Sequence, residues 1–225
     1  MSGPHVAEMP AADVPVVAHP QSWRLLLTLG VAGGLAGLLI VLVFNWTRPR
    51  IEAYKSQQIR AAIEEVLHAP QRTDTLYLDH GGIATKLSPS ADPSKVERIY
   101  KGYAADGGVI GYAIGASEAG FADQIVLLFG YEPREKQLLG IKILDSKETP
   151  GLGDKIQKPP FYAQFAGRLA PLLGVKGKAP PGDKRAIEMI TGATISSRAV
   201  IREINNAVQR WQPLLDRYQR TGGTN

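Results

Sequence analysis

The stretch Glu188-Met-Ile-Thr191-Gly192-Ala193-Thr194-Ile-Ser-Ser197 decides how this chain is read. After it, Ile201, Ile204, Val208, Trp211 and Leu215 recur at steps of three and four, the period of a helix that buries one face. The spacing predicts a helix from about Ile195 to Arg217, with Thr194 at its start. The first amides of a helix have no intrahelical partner, and the helix dipole adds positive potential there. Gly192 and Ala193 leave room for a close approach, so the place suits a phosphate. An ordinary loop with Thr194 or Ser196 as helix cap explains the same residues, and spacing alone favours that plainer account.

Two further stretches carry candidate chemistry. Glu148-Thr149-Pro150-Gly151-Leu152-Gly153-Asp154-Lys155 is a sharp loop whose backbone could approach a planar ligand, with Glu148, Thr149 and Lys155 as polar groups. By composition it is equally a polar turn. Gly111-Tyr112 through Gly115 to Gly120-Phe121 could frame a ring-binding cleft or simply bend a sheet. Phe161 and Tyr162 could stack on a ring or fill a core. Neither a P-loop nor a Rossmann glycine pattern is present.

Upstream, the pattern turns β-rich from Leu76. Segments 96–103, 109–114, 124–131 and 138–144 read as strands. Gly107-Gly108 and Glu132-Pro133-Arg134-Glu135-Lys136 are the turns, and such short connections imply an antiparallel sheet. Phe161 to Leu173 reads as a helix, and Lys176 to Lys184 as a Gly/Pro/Lys loop. The fold class is α+β, with an antiparallel sheet and flanking helices.

Leu25 to Trp46 is a run of 22 residues without a charge. At 1.5 Å per residue it spans roughly 33 Å, enough for a bilayer core. Trp23 and Trp46 stand at its ends, as interfacial aromatics do. Gly30, Gly33, Gly34 and Gly37 form either a face for a partner helix or the glycine content common in membrane helices. Segments are therefore expected as a disordered tail at 1–22, a single transmembrane helix at 23–47, a stalk helix at 48–70, a domain at 71–217 and a flexible C-terminus at 218–225. Pro49 suits the first turn of the stalk helix, whose apolar stripe includes Ile51, Tyr54, Ile59, Ile63 and Val66. Arg48, Arg50, Lys55 and Arg60 follow the apolar run, and a plain count of charge puts the domain in the cytoplasm.

Composition excludes several chemistries. The 225-residue chain has no cysteine, hence no thiolate-bound iron–sulfur cluster, no thioether haem, no disulfide and no cysteine nucleophile. The four histidines, His5, His19, His68 and His80, lack metal-ligand spacing. A net charge of +5 without a basic run argues against nucleic acid as a partner. Any redox role needs a cofactor held another way.

The order of these elements resembles the G subunit of the Rnf-type ion-translocating electron transport complexes. It is also similar to the C subunit of the Na+-pumping NADH:quinone reductase, which shares an FMN-binding domain. E-T-P-G-L-G at Glu148–Gly153 and T-G-A-T-I-S-S at Thr191–Ser197, about forty residues apart, carry the resemblance together with the N-terminal helix. It implies that 71–217 is an FMN-binding domain, and that Thr194 bears FMN through a phosphoester made by a dedicated flavin transferase using FAD and a divalent metal. Glu148, Thr149, Gly151, Leu152, Gly153, Thr191, Gly192 and Ala193 are then expected to line the flavin site. The acidic residue six positions before the threonine is usually Asp and here is Glu188. The resemblance implies a redox subunit that is not catalytic alone, anchored once in the bacterial inner membrane with its FMN domain on the periplasmic side. Its expected partners are other membrane and iron–sulfur subunits. A long domain translocates largely regardless of charge, so the charge count yields to the resemblance. The competing accounts are the quinone-reductase subunit, an FMN-binding accessory protein of another respiratory reductase, and a membrane-anchored binding or assembly protein with no redox role.

Overall fold

The computed structural model describes residues 22–79, 81–88 and 96–222, so most of the expected tail at 1–22 and residues 223–225 lie outside it, as do His5, His19 and His80. The chain forms two compact units, Met1–Ala53 and Tyr54–Asn225.

Helix α1 (Ser22–Val66) supplies the first unit and continues into the second. An 18-residue window of it has a mean hydropathy of 2.5 and is not buried at all, which fits a single-pass membrane anchor. The stalk continues the apolar run as one helix, with Pro49 inside it. Proline cannot donate to the carbonyl of Asn45, yet the helix runs on. Two residues earlier the Thr47 hydroxyl donates to the carbonyls of Val43 (2.8 Å) and Phe44 (3.2 Å). Around Gly30, Gly33, Gly34 and Gly37 no described atom would meet an added Cβ within 4 Å.

The second unit is built on a six-stranded antiparallel sheet of spatial order β2-β1-β3-β4-β5-β6. Its strands are β1 (Arg72–Asp79), β2 (Gly82–Ala84), β3 (Arg98–Tyr103), β4 (Val109–Ala119), β5 (Gln124–Glu132) and β6 (Gln137–Ser146). Register aligns Leu76, Ile99, Ile114, Phe129 and Ile141 in one row across five strands. All five are buried. Against that face packs the amphipathic α3 (Thr194–Arg220) through Val200, Ile204, Trp211 and Leu215. The opposite face takes Ala62, Ile63, Val66 and Leu67 against Ala113 and Leu128. There the backbone itself is the contact surface. A Cβ on Gly130 would run into the Val66 carbonyl, and one on Gly102 would lie 2.7 Å from Leu67 Cδ1.

Two expectations are corrected, and one pair of strands is added to them. Phe161–Leu173 is not a helix: α2 is a single turn (Pro159–Tyr162), followed by a 3-10 turn over Ala163–Phe165. Gly167 then takes φ +77°, and Pro171 has no amide to give a helix. Phe161 and Phe165 are buried and pack edge-on at 5.3 Å, so Phe161 fills the core. Flanking the loop at Lys176–Lys184, β7 (Leu173–Lys176) and β8 (Ala186–Met189) form a separate parallel pair. Finally, α3 continues through residues 218–220 because Tyr218 is buried.

Gly130→Ala should therefore lower the stability of the domain by about 1–3 kcal/mol in denaturant unfolding. Gly140→Ala, whose Cβ would meet only Val66 Cα at 3.9 Å, should be close to neutral.

Candidate functional site

Helix α3 begins at Thr194 behind an N-cap that is Ala193, with φ −131° and no side-chain cap. The plain expectation of a threonine or serine cap therefore does not hold. Both serines are engaged elsewhere. Ser197 Oγ accepts from the Ile190 amide at 3.0 Å and donates to the Ala193 carbonyl at 2.9 Å, closing the loop between β8 and α3. Ser196 Oγ donates to Glu148 Oε2 at 2.5 Å. The first turn of α3 contains no acidic residue, so no protein carboxylate on it competes for its amide dipoles.

Glu148 organises the other wall. It is only 5% exposed. Its Oε1 accepts from the amides of Phe121 (2.8 Å) and Ala122 (3.0 Å), in the turn between β4 and β5. Burial alone would raise its pKa; the Ser196 hydroxyl and the Ala122 and Phe121 amides outweigh that and hold the carboxyl below its ordinary value. Gly120 and Gly153 are the neighbours that make this possible. A Cβ on Gly120 would collide with Glu148 Oε1, and one on Gly153 would sit 2.7 Å from Glu148 Cβ. Gly151 (φ +77°) and Gly192 (φ +83°) hold left-handed turns in the two loops.

Between these walls lies a cleft of about 300 Å³. The expected residues Glu148, Thr149, Leu152, Gly153, Gly192, Ala193 and Thr194 all line it. Thr191 and Gly151 sit one residue outside the lining, both exposed. Sequence reasoning missed Ile195, weighed Ser196 only as a cap, and weighed Phe121 either as the frame of a ring-binding cleft or as part of a sheet bend; Phe121 does line the cleft. Phe121, Leu152 and Ile195 are 66%, 47% and 54% exposed, an apolar rim in solvent. The available signal was Gly120 before Phe121, a glycine demanded by a close neighbour. Glu188 does not enter the cleft; its carboxylate accepts from the Ala179 amide at 2.8 Å and ties the loop after β7 to β8.

The stretch of chain that builds the cleft matches a known family. An FMN-binding domain family model matches residues 120–209, which contain both walls of the cleft. The G subunit of the Na(+)-translocating ferredoxin:NAD(+) oxidoreductase complex of Acetobacterium woodii is 31% identical over 202 residues, covering 85% of this chain and 94% of the relative. The chain belongs to the G-subunit family of ion-translocating oxidoreductase complexes. The G subunit of Pseudomonas aeruginosa is 32% identical over 81% of this chain and 85% of its own length. That of Methanosarcina acetivorans is 29% identical over 82% and 92%. Among solved structures, Shewanella oneidensis NqrC shares the fold with a TM-score of 0.62 at 17% identity, covering 73% of this chain and 99% of that one. The quinone-reductase protein is thus a structural neighbour, while the sequence relatives are G subunits of redox complexes.

Since the folded pKa of Glu148 is depressed, its contribution to stability is present above the unfolded value near 4.5 and is lost as pH falls through the folded one. Acid unfolding of the wild-type domain should steepen below about pH 4.5. Glu148→Gln should be less stable by about 1–3 kcal/mol at neutral pH and should flatten that acid limb.

Proposed function

We propose that this chain is the flavin-bearing electron carrier of an ion-translocating electron transport complex, with FMN joined through its phosphate to Oγ of Thr194. The observation that carries the reading is the place of that hydroxyl: half-buried, on the first residue of an uncapped 27-residue helix, and lining the cleft. The residues present fit a phosphate ester. The opening amides of α3 and its dipole favour the negative charge, Gly192 and Ala193 keep bulk away, and Glu148 is turned inward to its own donors. Thr149, Thr191, Gly151 and Gly153 supply polar and backbone surface beside it. Phe121, Leu152 and Ile195 offer apolar surface to a planar ring.

When bound, FMN supplies the electron transfer; the chain supplies its binding, orientation and surroundings. A covalent tether fixes the carrier at one place and prevents its loss to solvent. The same reading assigns a flavin transferase as the maturation partner, with FAD as the source of the FMN, and membrane and iron–sulfur subunits as electron donor and acceptor. It puts the protein in the bacterial inner membrane with the second unit on the periplasmic side.

Two measurements test this. The intact mass of the membrane-purified protein should exceed its sequence mass by one FMN less one water, and Thr194→Ala should abolish the increment. An unmodified mass from a host that makes the transferase would overturn the covalent assignment. Because the chain has no cysteine, a single Lys178→Cys in the exposed loop after β7 reports sidedness. A membrane-impermeant maleimide should label it in intact spheroplasts; protection until lysis would place the domain in the cytoplasm.

A further inference from the structure

The sheet face that receives α1 is only partly covered by it. α1 seats itself on glycines there: the Val66 carbonyl and Leu67 Cδ1 occupy the space that a Cβ on Gly130 and on Gly102 would need. Gly115 lies on the same face, two residues along β4 from the buried Ala113 and opposite Leu128. Gly115 is exposed, and no described atom would come within 4 Å of a Cβ on it. Its φ is not in the left-handed region, and the β4–β5 ladder runs past it without a register shift. A glycine inside a strand forgoes side-chain packing and loses more backbone freedom on folding. No turn, bulge or described neighbour accounts for this one; close approach of another backbone does.

An open groove of about 330 Å³ surrounds Gly115. Ile59 of α1, Tyr100, Val126, Leu128 and Leu144 give it a mainly apolar lining. Ile59, Tyr100 and Leu144 are only half-buried, at the margin of the cluster that α1 forms with the sheet. Arg98 is the one charged side chain in the lining, and it is exposed with no ion pair among the described residues.

These features select the occupant. A glycine floor beside a helix admits a second helix, whose backbone would rest on Gly115 as α1 rests on Gly130. Arg98 calls for a carboxylate on that helix. A second copy of this chain, meeting face to face across a two-fold axis, would present the same lining, which contains no acid. The relatives are subunits of multi-protein complexes, in which other chains are at hand. We propose that the groove receives an α-helix of a neighbouring subunit of the same complex, apolar on the face it buries and carrying an Asp or Glu that meets Arg98. This docking is independent of the assignment of Thr194.

Because the chain has no cysteine, Ser117→Cys puts a single reporter thiol in the groove. Its alkylation by N-ethylmaleimide is followed through the mass of this chain, both in membranes that hold the whole complex and in the detergent-solubilised full chain alone. Assembly should slow the reaction by about tenfold or more, since a docked helix excludes solvent. In the same background Gly115→Val should restore the fast rate in the complex. It should leave the denaturant midpoint of the isolated chain unchanged or higher, because its Cβ meets open space and valine favours a strand. Arg98→Glu should likewise speed alkylation in the complex by about tenfold and leave the isolated chain unaffected. With p-benzoylphenylalanine in place of Tyr100, irradiation of the complex should join this chain to a helical segment of another subunit that carries an Asp or Glu. Equal rates in the complex and in isolation, protection that survives Gly115→Val, or photoproducts only with lipid or with a second copy would overturn the proposal. Should Gly115→Val lower the midpoint, Arg98→Glu decides on the same criterion.

Discussion

The buried carboxylate of Glu148 is the constraint around which the functional end of the domain is arranged. A charge withdrawn from water must be met by donors, and the donors come from distant parts of the chain. Two are amides of the β4–β5 turn and one is the hydroxyl of Ser196 at the start of α3. One side chain thereby fixes three segments to one another. Gly120 and Gly153 are glycines because the carboxylate and its stem occupy the space a Cβ would need. The helix that opens beside Thr194 inherits its position from this knot, with its own first turn left free of side-chain caps.

The same domain carries a second buried carboxyl with the opposite character. Glu148 is satisfied three times over and held below its ordinary pKa. Glu203 sits in the middle of α3, has no partner among the described residues, and is pushed up to about 9. Burial is common to both and cannot separate them. What separates them is the supply of donors: a turn offers free amides, whereas the sheet face and helix flank beside Glu203 have spent theirs on backbone pairing and on Glu97 and Glu118.

The elements that bury an obvious apolar face were legible in the sequence. The strands around Ile114, Phe129 and Ile141, the period of α3 and the uncharged run before Trp46 each announce themselves by pattern. The site was partly legible, because the two glycine-bearing loops carry conspicuous motifs, but their meeting depends on a contact across 48 residues that no local pattern encodes. Local reasoning failed where strands are short or punctuation was underweighted. The strands β7 and β8 have four residues each and no alternation. Gly167 and Pro171 stood inside the expected helix and should have divided it. Asp74 and its polar neighbours concealed the start of β1.

The Glu148–Ser196 bond also bears on the order of events in the life of the chain. The cleft beside Thr194 does not exist until β4, β5, the loop after β6 and α3 have come together. A transferase that recognises the assembled cleft acts only on molecules that have already folded, and passes over nascent or misfolded ones. On the assignment made for Thr194, the yellow of the attached flavin would then serve as a certificate of completed tertiary structure, readable from colour alone.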